Sequence, residues 1–392
     1  MHELFNSAKA LLPELTACRR ELHAHPELGL NEVQTAAFIE AKLDEWHIPH
    51  HRVGKTNVVG VLKGEHPGNH TIALRADIDA LPIQELNDVP YRSQTDGVMH
   101  ACGHDAHTTC LLGAAQLLSQ RRAEFGGEVR LLFQSAEEIG KGAMDLIDAD
   151  ALKGVERVFG LHTAHEIPVG TVSLTPGLNN AAVDRFVIKI HGKAAHVSTP
   201  ELGADALYIA SHVVVALQSM VTRCSSPVEP VLLGIGRFHS GTTYNALAEE
   251  AELEGTTRTI TPERRAWARE KINETAGRIA DLYGGTAEVL WEGICSALYN
   301  DAQVCTEASA AAEAALEGVS VTHDRPFSLG GDNFAEYTLK VPGAYAYLGS
   351  GNADRPGTRN AAHNGYFDID EAALPIGAAL YASYALWWLG QP

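Results

Sequence analysis

The sequence has few cysteines, fewer basic than acidic residues, and no long apolar run. Its six cysteines are scattered over 392 residues and form no C-x-x-C pair. This spacing argues against a disulfide framework and favours reduced thiols in a cytoplasmic protein. Lysine and arginine number 30 against 49 acidic residues, giving a net charge of −19. Because such a surface repels phosphate backbones and anionic lipid, we expect no nucleic-acid or membrane partner.

The N-terminal segment carries charge throughout and lacks the apolar core of a signal peptide. The most apolar helical stretch, residues 207–221, contains His212 and Gln218 and is too short to cross a bilayer. We therefore expect a soluble protein. A length of 392 residues exceeds what one hydrophobic core usually serves, so two domains are expected.

Hydrophobic patterning predicts an α/β protein. Helices are expected at residues 5–22, 35–46 and 106–119, and strands at 58–62, 71–75, 128–134 and 157–161. This alternation is typical of a sheet that is covered on both faces. From about residue 183 the order becomes strand-helix-strand-strand-helix-strand, as in a ferredoxin-like sandwich. We predict a catalytic domain made of residues 1–182 and 296–392, with residues 183–295 inserted as a lid and dimerisation domain.

The strongest chemical signal is the segment from His100 to His107, which precedes a predicted helix. It places the thiol of Cys102 and the imidazole of His104 two residues apart among small side chains. In an extended loop both can face the same side, and a thiolate with an imidazole suits zinc or its neighbours. The alternative is a histidine-rich surface loop without metal.

Three further signals follow predicted strands or lie late in the chain. Glu137 and Glu138 end an apolar run, His162 ends the next, and His363 lies near the C-terminus. Adjacent carboxylates could supply one metal ligand and one general base, although such pairs are usually solvated. Lone histidines are more often structural or exposed, but the carboxyl ends of strands are where α/β sheets gather their sites.

In sum, the chain resembles the aminoacylase, hippurate hydrolase and indole-acetyl-amino-acid hydrolase branch of the binuclear zinc aminopeptidase- and carboxypeptidase-like metallopeptidases. The segments that carry the resemblance are residues 19–27, 75–82, 100–105, 134–138, 160–162, 192–196, 245, 255–258 and 367–370. They occur in the family's order and spacing over almost the whole chain. The resemblance implies a three-layer α/β/α catalytic domain with the ferredoxin-like insertion.

The resemblance also implies a site with two divalent metal ions per subunit. Its ligands are Cys102, His104, Glu138, His162 and His363, with Cys102 as the bridge between the metals. Glu137 corresponds to the general base, and His196 to the histidine that reaches the substrate carbonyl, often across a dimer interface. Arg258 corresponds to an arginine that binds the substrate's carboxylate, with Asn245 beside it, and Asp79 to a carboxylate that supports the metal site. The metals could be zinc, manganese, cobalt or nickel, since all accept such ligands.

The expected reaction is hydrolysis of the amide bond of an N-acyl-amino acid by metal-activated water, with a glutamate as general base. Alternatives are a dipeptidase or carboxypeptidase of short peptides, and a non-catalytic metabolite-binding relative. We expect a homodimer or higher homo-oligomer. The sequence departs from the family at Ser135, at residues 163–165 and at Asp332 and Asn333, where longer or acidic residues are common. These departures bear on the identity of the substrate.

Overall fold

The computed structural model describes residues 2–391. It contains ten α-helices and fourteen β-strands in that range. The helices are α1 His2–Ala10, α2 Leu12–Ala24, α3 Val33–Glu45, α4 His104–Ser119, α5 Ala143–Asp148, α6 Ala206–Cys224, α7 Pro262–Leu282, α8 Ala302–Ala315, α9 Ala335–Thr338 and α10 Ala373–Leu389. The strands are β1 His50–Val53, β2 Asn57–Lys63, β3 His66–Asp77, β4 Gly126–Gln134, β5 Arg157–Pro168, β6 Thr171–Ser173, β7 Gly177–Asn180, β8 Ala182–His191, β9 Val231–Ser240, β10 Glu250–Thr259, β11 Thr286–Cys295, β12 Leu298–Asn300, β13 Ser320–Thr322 and β14 Gly343–Gly351.

The chain divides into two compact units. The first comprises Met1–Asn179, Tyr299–Pro326 and Asn333–Pro392, and the second comprises Asn180–Leu298 and Phe327–Asp332. The segment 327–332 therefore groups with the inserted unit, whereas the sequence analysis placed it in the catalytic domain.

The first unit is built on an eight-stranded mixed sheet with the order β1-β2-β4-β3-β5-β14-β6-β13. The central strands β4, β3, β5 and β14 run parallel. Side chains alternate between the faces of a strand, so Phe159 packs against Tyr381 and Tyr384 of α10. On the opposite face, Gly160 lies against Tyr345 and Phe334. Both faces are covered, as the predicted three-layer α/β/α class requires.

The second unit is an antiparallel sheet with the order β11-β8-β10-β9. Its chain order is β8, α6, β9, β10, α7, β11, which is the predicted ferredoxin-like arrangement. The helices cover one face, where Ile209, Val213 and Leu217 of α6 are fully buried. β9 lies at an edge of the sheet.

Helix α6 extends beyond the apolar stretch at residues 207–221 in both directions. It has 19 residues and a mean hydropathy of 1.2, and by length and composition alone it could cross a membrane. The expectation that this stretch is too short was therefore wrong. One such helix is weak evidence of a membrane span, because a core helix passes the same test, and the buried stripe of α6 belongs to the core of the second unit.

The predicted helix at residues 5–22 is also two helices. α1 ends at Ala10 and α2 begins at Leu12, with Pro13 in its first turn. Proline lacks the amide hydrogen that a continuous helix would need there, and its ring favours the first turn of a new helix.

Candidate metal centre

The predicted metal ligands come together at one edge of the first sheet. Strand β3 ends at Asp77 and leads towards the loop before α4, while β4 ends at Gln134 just before Glu137 and Glu138. Parallel strands present their carboxyl ends to the same edge, where α/β sheets form their sites. Among the described residues, donor atoms within 4.8 Å of one another form four groups, three of which contain only predicted ligands and Glu137, while the fourth is Asp77, His104 and His107. The three are Cys102, His104 and His162; Cys102, Glu138 and His363; and His104, Glu137 and Glu138.

Cys102 belongs to two of these groups. Its Sγ lies 3.4 Å from Nε2 of His162, and the thiol also faces Glu138 and His363. Burial raises the pKa of the Cys102 thiol well above its ordinary value, and the Glu138 charge acts in the same direction. Formation of a thiolate here therefore needs added positive charge, which a bound cation provides.

The loop that carries Cys102 and His104 depends on the glycine between them. Gly103 has a φ of 89°, in the left-handed region. A Cβ at this position would collide with Oγ1 of Thr163. Glycine therefore lets the chain turn sharply between two predicted ligands and begin α4 at His104.

Two of the imidazole ligands, His104 and His162, are oriented by a second contact on Nδ1. Nδ1 of His162 donates to the carbonyl oxygen of Thr163 at 2.6 Å, which leaves Nε2 to face Cys102. Nδ1 of His104 lies 3.2 Å from Oδ1 of Asp79. Partners of this kind set the tautomer and ring orientation in metal sites.

Asp79 also holds the carboxylate-bearing loop. Its Oδ2 accepts the backbone N–H of Glu138 at 3.0 Å, while its Oδ1 contacts His104. The side chain is 1% exposed. One buried carboxylate thus orients two predicted ligands that lie 34 residues apart in the sequence.

Electrostatics at the cluster favour the charged forms of Glu138 and His363 and the neutral form of His162. Burial opposes ionisation of Glu138, but its hydrogen bond with His363 and the nearby His104 hold the pKa of Glu138 below its ordinary value. The hydrogen bond to Glu138 raises the pKa of His363. Burial lowers the pKa of His162, and the neighbouring His107 lowers it further.

Unpartnered buried atoms at the cluster show that the residues present can hold a cation. Nε2 of His104 and Oε1 of Glu138 are buried, lie 3.8 Å apart and have no hydrogen-bond partner. Buried polar atoms in folded proteins are almost always satisfied. A thiol, imidazoles and a carboxylate are also the donor types that zinc and its neighbours accept, so the orphaned atoms are explained by divalent metal.

Two backbone positions at the site are strained. Ala136, just before Glu137, has a φ of 55°, and His363 has a φ of 63°. Oε1 of the buried Glu32 accepts the Ala136 N–H at 2.8 Å, and the His363 N–H donates to the Ala101 carbonyl at 2.7 Å. Left-handed conformations of such residues persist only where the surroundings enforce them, commonly at functional sites.

Two other histidines of these motifs, His107 and His23, have structural partners. His107 Nδ1 lies 2.6 Å from Asp77, and its Nε2 accepts the N–H of Thr163. His23 is buried between Asp105 and Glu85. These contacts give His107 and His23 structural roles.

The predicted substrate-binding residues lie in the second unit. His196 and Asn245 are exposed and lie on adjacent segments, because the N–H of Val197 donates to the carbonyl of Asn245. Nδ1 of His196 is 2.7 Å from Oγ of Ser198. Arg258 is half-buried on β10, and burial lowers the pKa of its guanidinium.

Sequence reasoning missed two residues that the structure places next to the site. Arg75 is fully buried and donates to Asp77, and Asn333 contacts Glu137 through its backbone N–H. A signal for the first was available: Arg75 and Asp77 are two charges spaced by two in an otherwise apolar strand, so both point to one face.

The fold and the clustered donors define a hydrolase of the metallopeptidase class that acts on amide bonds. Residues 73–387 match Peptidase family M20/M25/M40. The chain belongs to this family, and the resemblance inferred from the sequence is confirmed.

Similar proteins agree with this assignment. The chain is 40% identical to an N-acetylcysteine deacetylase of Bacillus subtilis (strain 168), over 96% of this chain and 97% of that protein. It is 35% identical to thermostable carboxypeptidase 2 of Saccharolobus solfataricus, over 98% of each chain. A crystal structure of a dinuclear metal-binding M20 peptidase from Bacillus subtilis superposes with a TM-score of 0.83 at 38% identity, covering 97% of this chain and 99% of that one.

Proposed function

We propose that this enzyme hydrolyses N-acyl-amino acids to a carboxylate and a free amino acid. The observation that carries the proposal is the convergence of Glu137 with the donor atoms of Cys102, His104 and Glu138 at one edge of the sheet. A relative that is named as a deacetylase of an N-acetylated amino acid supports this choice of substrate class.

The proposed metal ligands are Cys102, His104, Glu138, His162 and His363. Two divalent cations, when bound, would supply the Lewis acidity that makes water nucleophilic near neutral pH. Zinc, manganese, cobalt and nickel all suit this donor set. Cys102 would hold metal together with the other four ligands, and Asp79 keeps His104 and Glu138 in place.

Glu137 acts as the general base in this proposal. Its carboxylate takes the proton of the attacking water and later delivers it to the nitrogen of the leaving amine. The adjacent Glu138 is committed to metal binding, so the two carboxylates divide the tasks. A protein that only senses a metabolite has no need of a base beside a full ligand set.

The second unit supplies the proposed substrate contacts. His196 stabilises the negative charge that develops on the substrate's carbonyl oxygen. Arg258 binds the substrate's carboxylate with two parallel hydrogen bonds, which a lysine cannot do as well. Asn245 adds a polar contact beside them.

We also propose a cytoplasmic homodimer that forms through the second unit. All six cysteines are free, in keeping with a reducing compartment. Strand β9 leaves one edge of its sheet unpaired, and α6, which contacts β9, exposes Leu207, Tyr208 and Val215. An exposed edge strand beside an apolar helix face is suited to pairing with a second copy.

A substrate panel tests the reaction. Enzyme reconstituted with each of the four metals would be assayed on N-acetyl and N-benzoyl amino acids and, in parallel, on dipeptides. We expect higher kcat/KM on the N-acyl-amino acids. Turnover of dipeptides alone would favour the second candidate, a dipeptidase or carboxypeptidase, which the similarity to a named carboxypeptidase supports.

A further inference from the structure

Asn333 forms the link between the loop of Glu137 and the buried centre of the sheet. Its backbone N–H donates to Oε1 of Glu137 at 3.2 Å. Its side-chain Nδ2 donates to the carbonyl oxygen of Lys141 at 2.7 Å. The same turn is closed by hydrogen bonds from the N–H of Lys141 to Ala136 and from the N–H of Gly140 to Glu137. Asn333 therefore contacts both ends of the segment that carries the proposed base.

Asn333 is itself held rigidly from the sheet side. Its Oδ1 accepts from Nη2 of Arg75 at 3.1 Å and from Nε2 of Gln134 at 2.8 Å. Arg75 and Gln134 are fully buried, and Nε of Arg75 donates to Oε1 of Gln134 at 2.9 Å. Nη1 of Arg75 continues to Asp77 at 2.7 Å. A closed set of buried polar contacts of this kind fixes its members in one arrangement.

The chemistry of these contacts requires an amide. The side chain must accept on one side, towards Arg75 and Gln134, and donate on the other, towards the Lys141 carbonyl. An ionised carboxylate accepts only and would set a negative oxygen against that carbonyl. This accounts for asparagine at a position where the sequence departs from the acidic residue common in its family.

We propose that Asn333 is a positioning residue for Glu137, and this rests on the proposed function, in which Glu137 is the general base. The amide fixes the turn from Glu137 to Lys141, and the backbone N–H of Asn333 directs the Glu137 carboxylate. General-base catalysis depends on hydrogen-bond reach to the reacting proton, and small displacements of reacting groups are costly in rate. Asn333 acts on the chemical step without touching the substrate.

The test uses the full-length, metal-loaded enzyme with Asn333→Ala. We expect kcat to fall by about tenfold to a hundredfold, KM to change by less than about twofold, and metal content to stay unchanged, because positioning of the base affects the chemical step.

Asn300→Ala is the matched control. Asn300 is also a buried amide with three side-chain hydrogen bonds, to Thr175 and to the backbone of Tyr345, and none of them reaches Glu137 or a proposed ligand. We expect the control to lose a similar amount of thermal stability and to keep its kcat at temperatures below its unfolding transition.

A double-mutant cycle separates positioning from a general structural effect. In a Glu137→Gln background there is no base to position, so adding Asn333→Ala should change the residual kcat by less than about twofold. If the two losses instead multiply in full, Asn333 acts independently of Glu137 and the proposal is overturned. A normal kcat for Asn333→Ala with a slow Glu137→Gln overturns the positioning role alone. A normal kcat for Glu137→Gln overturns the proposed base and the positioning role together.

If Asn333→Ala does not fold, Asn333→Asp replaces it. This variant keeps the size of the side chain and the acceptor for Arg75 and Gln134, and replaces the donor to Lys141 with a carboxylate oxygen that repels the carbonyl. A lowered kcat at unchanged KM supports the proposal, and a kcat within about twofold of the wild type contradicts it.

Discussion

Glu137 and Glu138 are neighbours in the sequence but have different surroundings. Glu138 is buried against His363 and His104, which hold its pKa low, whereas Glu137 receives the N–H of Asn333 and joins only one of the donor groups. Two adjacent carboxylates can therefore serve as ligand and base. The two glutamates should therefore respond differently when each is replaced by glutamine.

Glu137→Gln should retain metal and lose more than about 10²-fold in kcat, because a positioned general base contributes roughly 10² to 10⁴. The amide keeps the shape of the side chain but cannot take up a proton. Metal content by elemental analysis and kcat on an N-acyl-amino acid are the measurements. Glu138→Gln is the matched control and should lose metal. Little change in turnover for Glu137→Gln would show that another group is the base.

Cys102→Ala should lower the metal content, because it removes a donor that belongs to two of the clustered groups. Elemental analysis after dialysis against buffer without chelator gives the readout. Cys110→Ala is a suitable control, since Cys110 is a buried thiol that contacts the carbonyl of Leu374 and belongs to no donor group. Unchanged metal in the Cys102 variant would remove it from the ligand set.

At the scale of residues, the sequence predicted the functional groups that lie close together in one segment, but not the single residues that support them from far along the chain. The thiol and imidazoles between His100 and His107 are unusual in so short a segment, so a metal site could be predicted there. Asn333 and Glu32 act through hydrogen bonds to residues that are distant in the sequence. No local pattern marks such contacts, because they exist only after residues more than 100 positions apart have come together.

At the scale of elements, strands that carry ligands were predicted shorter than they are. Polar residues interrupt the apolar pattern at the end of β5, so residues 157–161 were predicted, whereas the strand continues to Pro168. The helix α10 was not predicted at all. It is apolar on every side and almost entirely buried, so it lacks the one-sided periodicity by which surface helices are found.

Asp184 links β8 to α7 in the second unit, and its substitution tests how much this link contributes to the free energy of unfolding. It lies on β8, is 1% exposed, and pairs with Arg265 and Arg269 of α7, with 2.7 Å to Nη2 of Arg265. Breaking a buried pair leaves buried charge uncompensated, and because both arginines are partly exposed we expect Asp184→Asn to cost about 2 kcal/mol, less than a fully buried pair. Glu254→Gln, which breaks the more exposed pairs with Arg185 and Arg237, should cost about 1 kcal/mol or less.

The effect of Asp184→Asn should also depend on pH. Burial opposes ionisation, but Arg265 and Arg269 lower the pKa of Asp184 below its ordinary value. A depressed folded pKa gives stability that is complete above the unfolded value, about 3.9, and is lost as the pH falls through the folded value. Denaturant unfolding at pH 7 and pH 3 should therefore show a smaller difference between variant and wild type at pH 3. An equal difference at both values would mean that charge is not the cause.

At the scale of the whole molecule, the order of elements carried more information than their boundaries. Strand-helix-strand-strand-helix-strand predicted the fold of the inserted segment, because that order has one common solution that covers a single sheet face. The grouping of residues 327–332 with the second unit had no sequence signal. These residues lie far along the chain from that unit, and only tertiary contacts assign them to it.

Charge bears on the proposed assembly as well. Each chain carries a net charge of −19, so two copies repel one another through their overall field. Association must then come from apolar burial and strand pairing at β9 and α6. Added salt screens the repulsion and leaves the apolar contribution in place, so a dimer of this kind should persist or strengthen as the salt concentration rises.

Val215→Asp tests this surface without disturbing the core, because Val215 is 65% exposed on α6. In the proposed dimer the new carboxylate is buried against apolar side chains without a partner, which is strongly unfavourable. Sedimentation velocity should show a dimer for the wild type at low and at high salt, and a monomer for the variant at the same concentration. Leu339→Asp, at a 62% exposed leucine of the first unit, is the matched control and should remain dimeric. A wild-type monomer, or a Val215→Asp protein that stays dimeric, would exclude this face of the second unit as the interface.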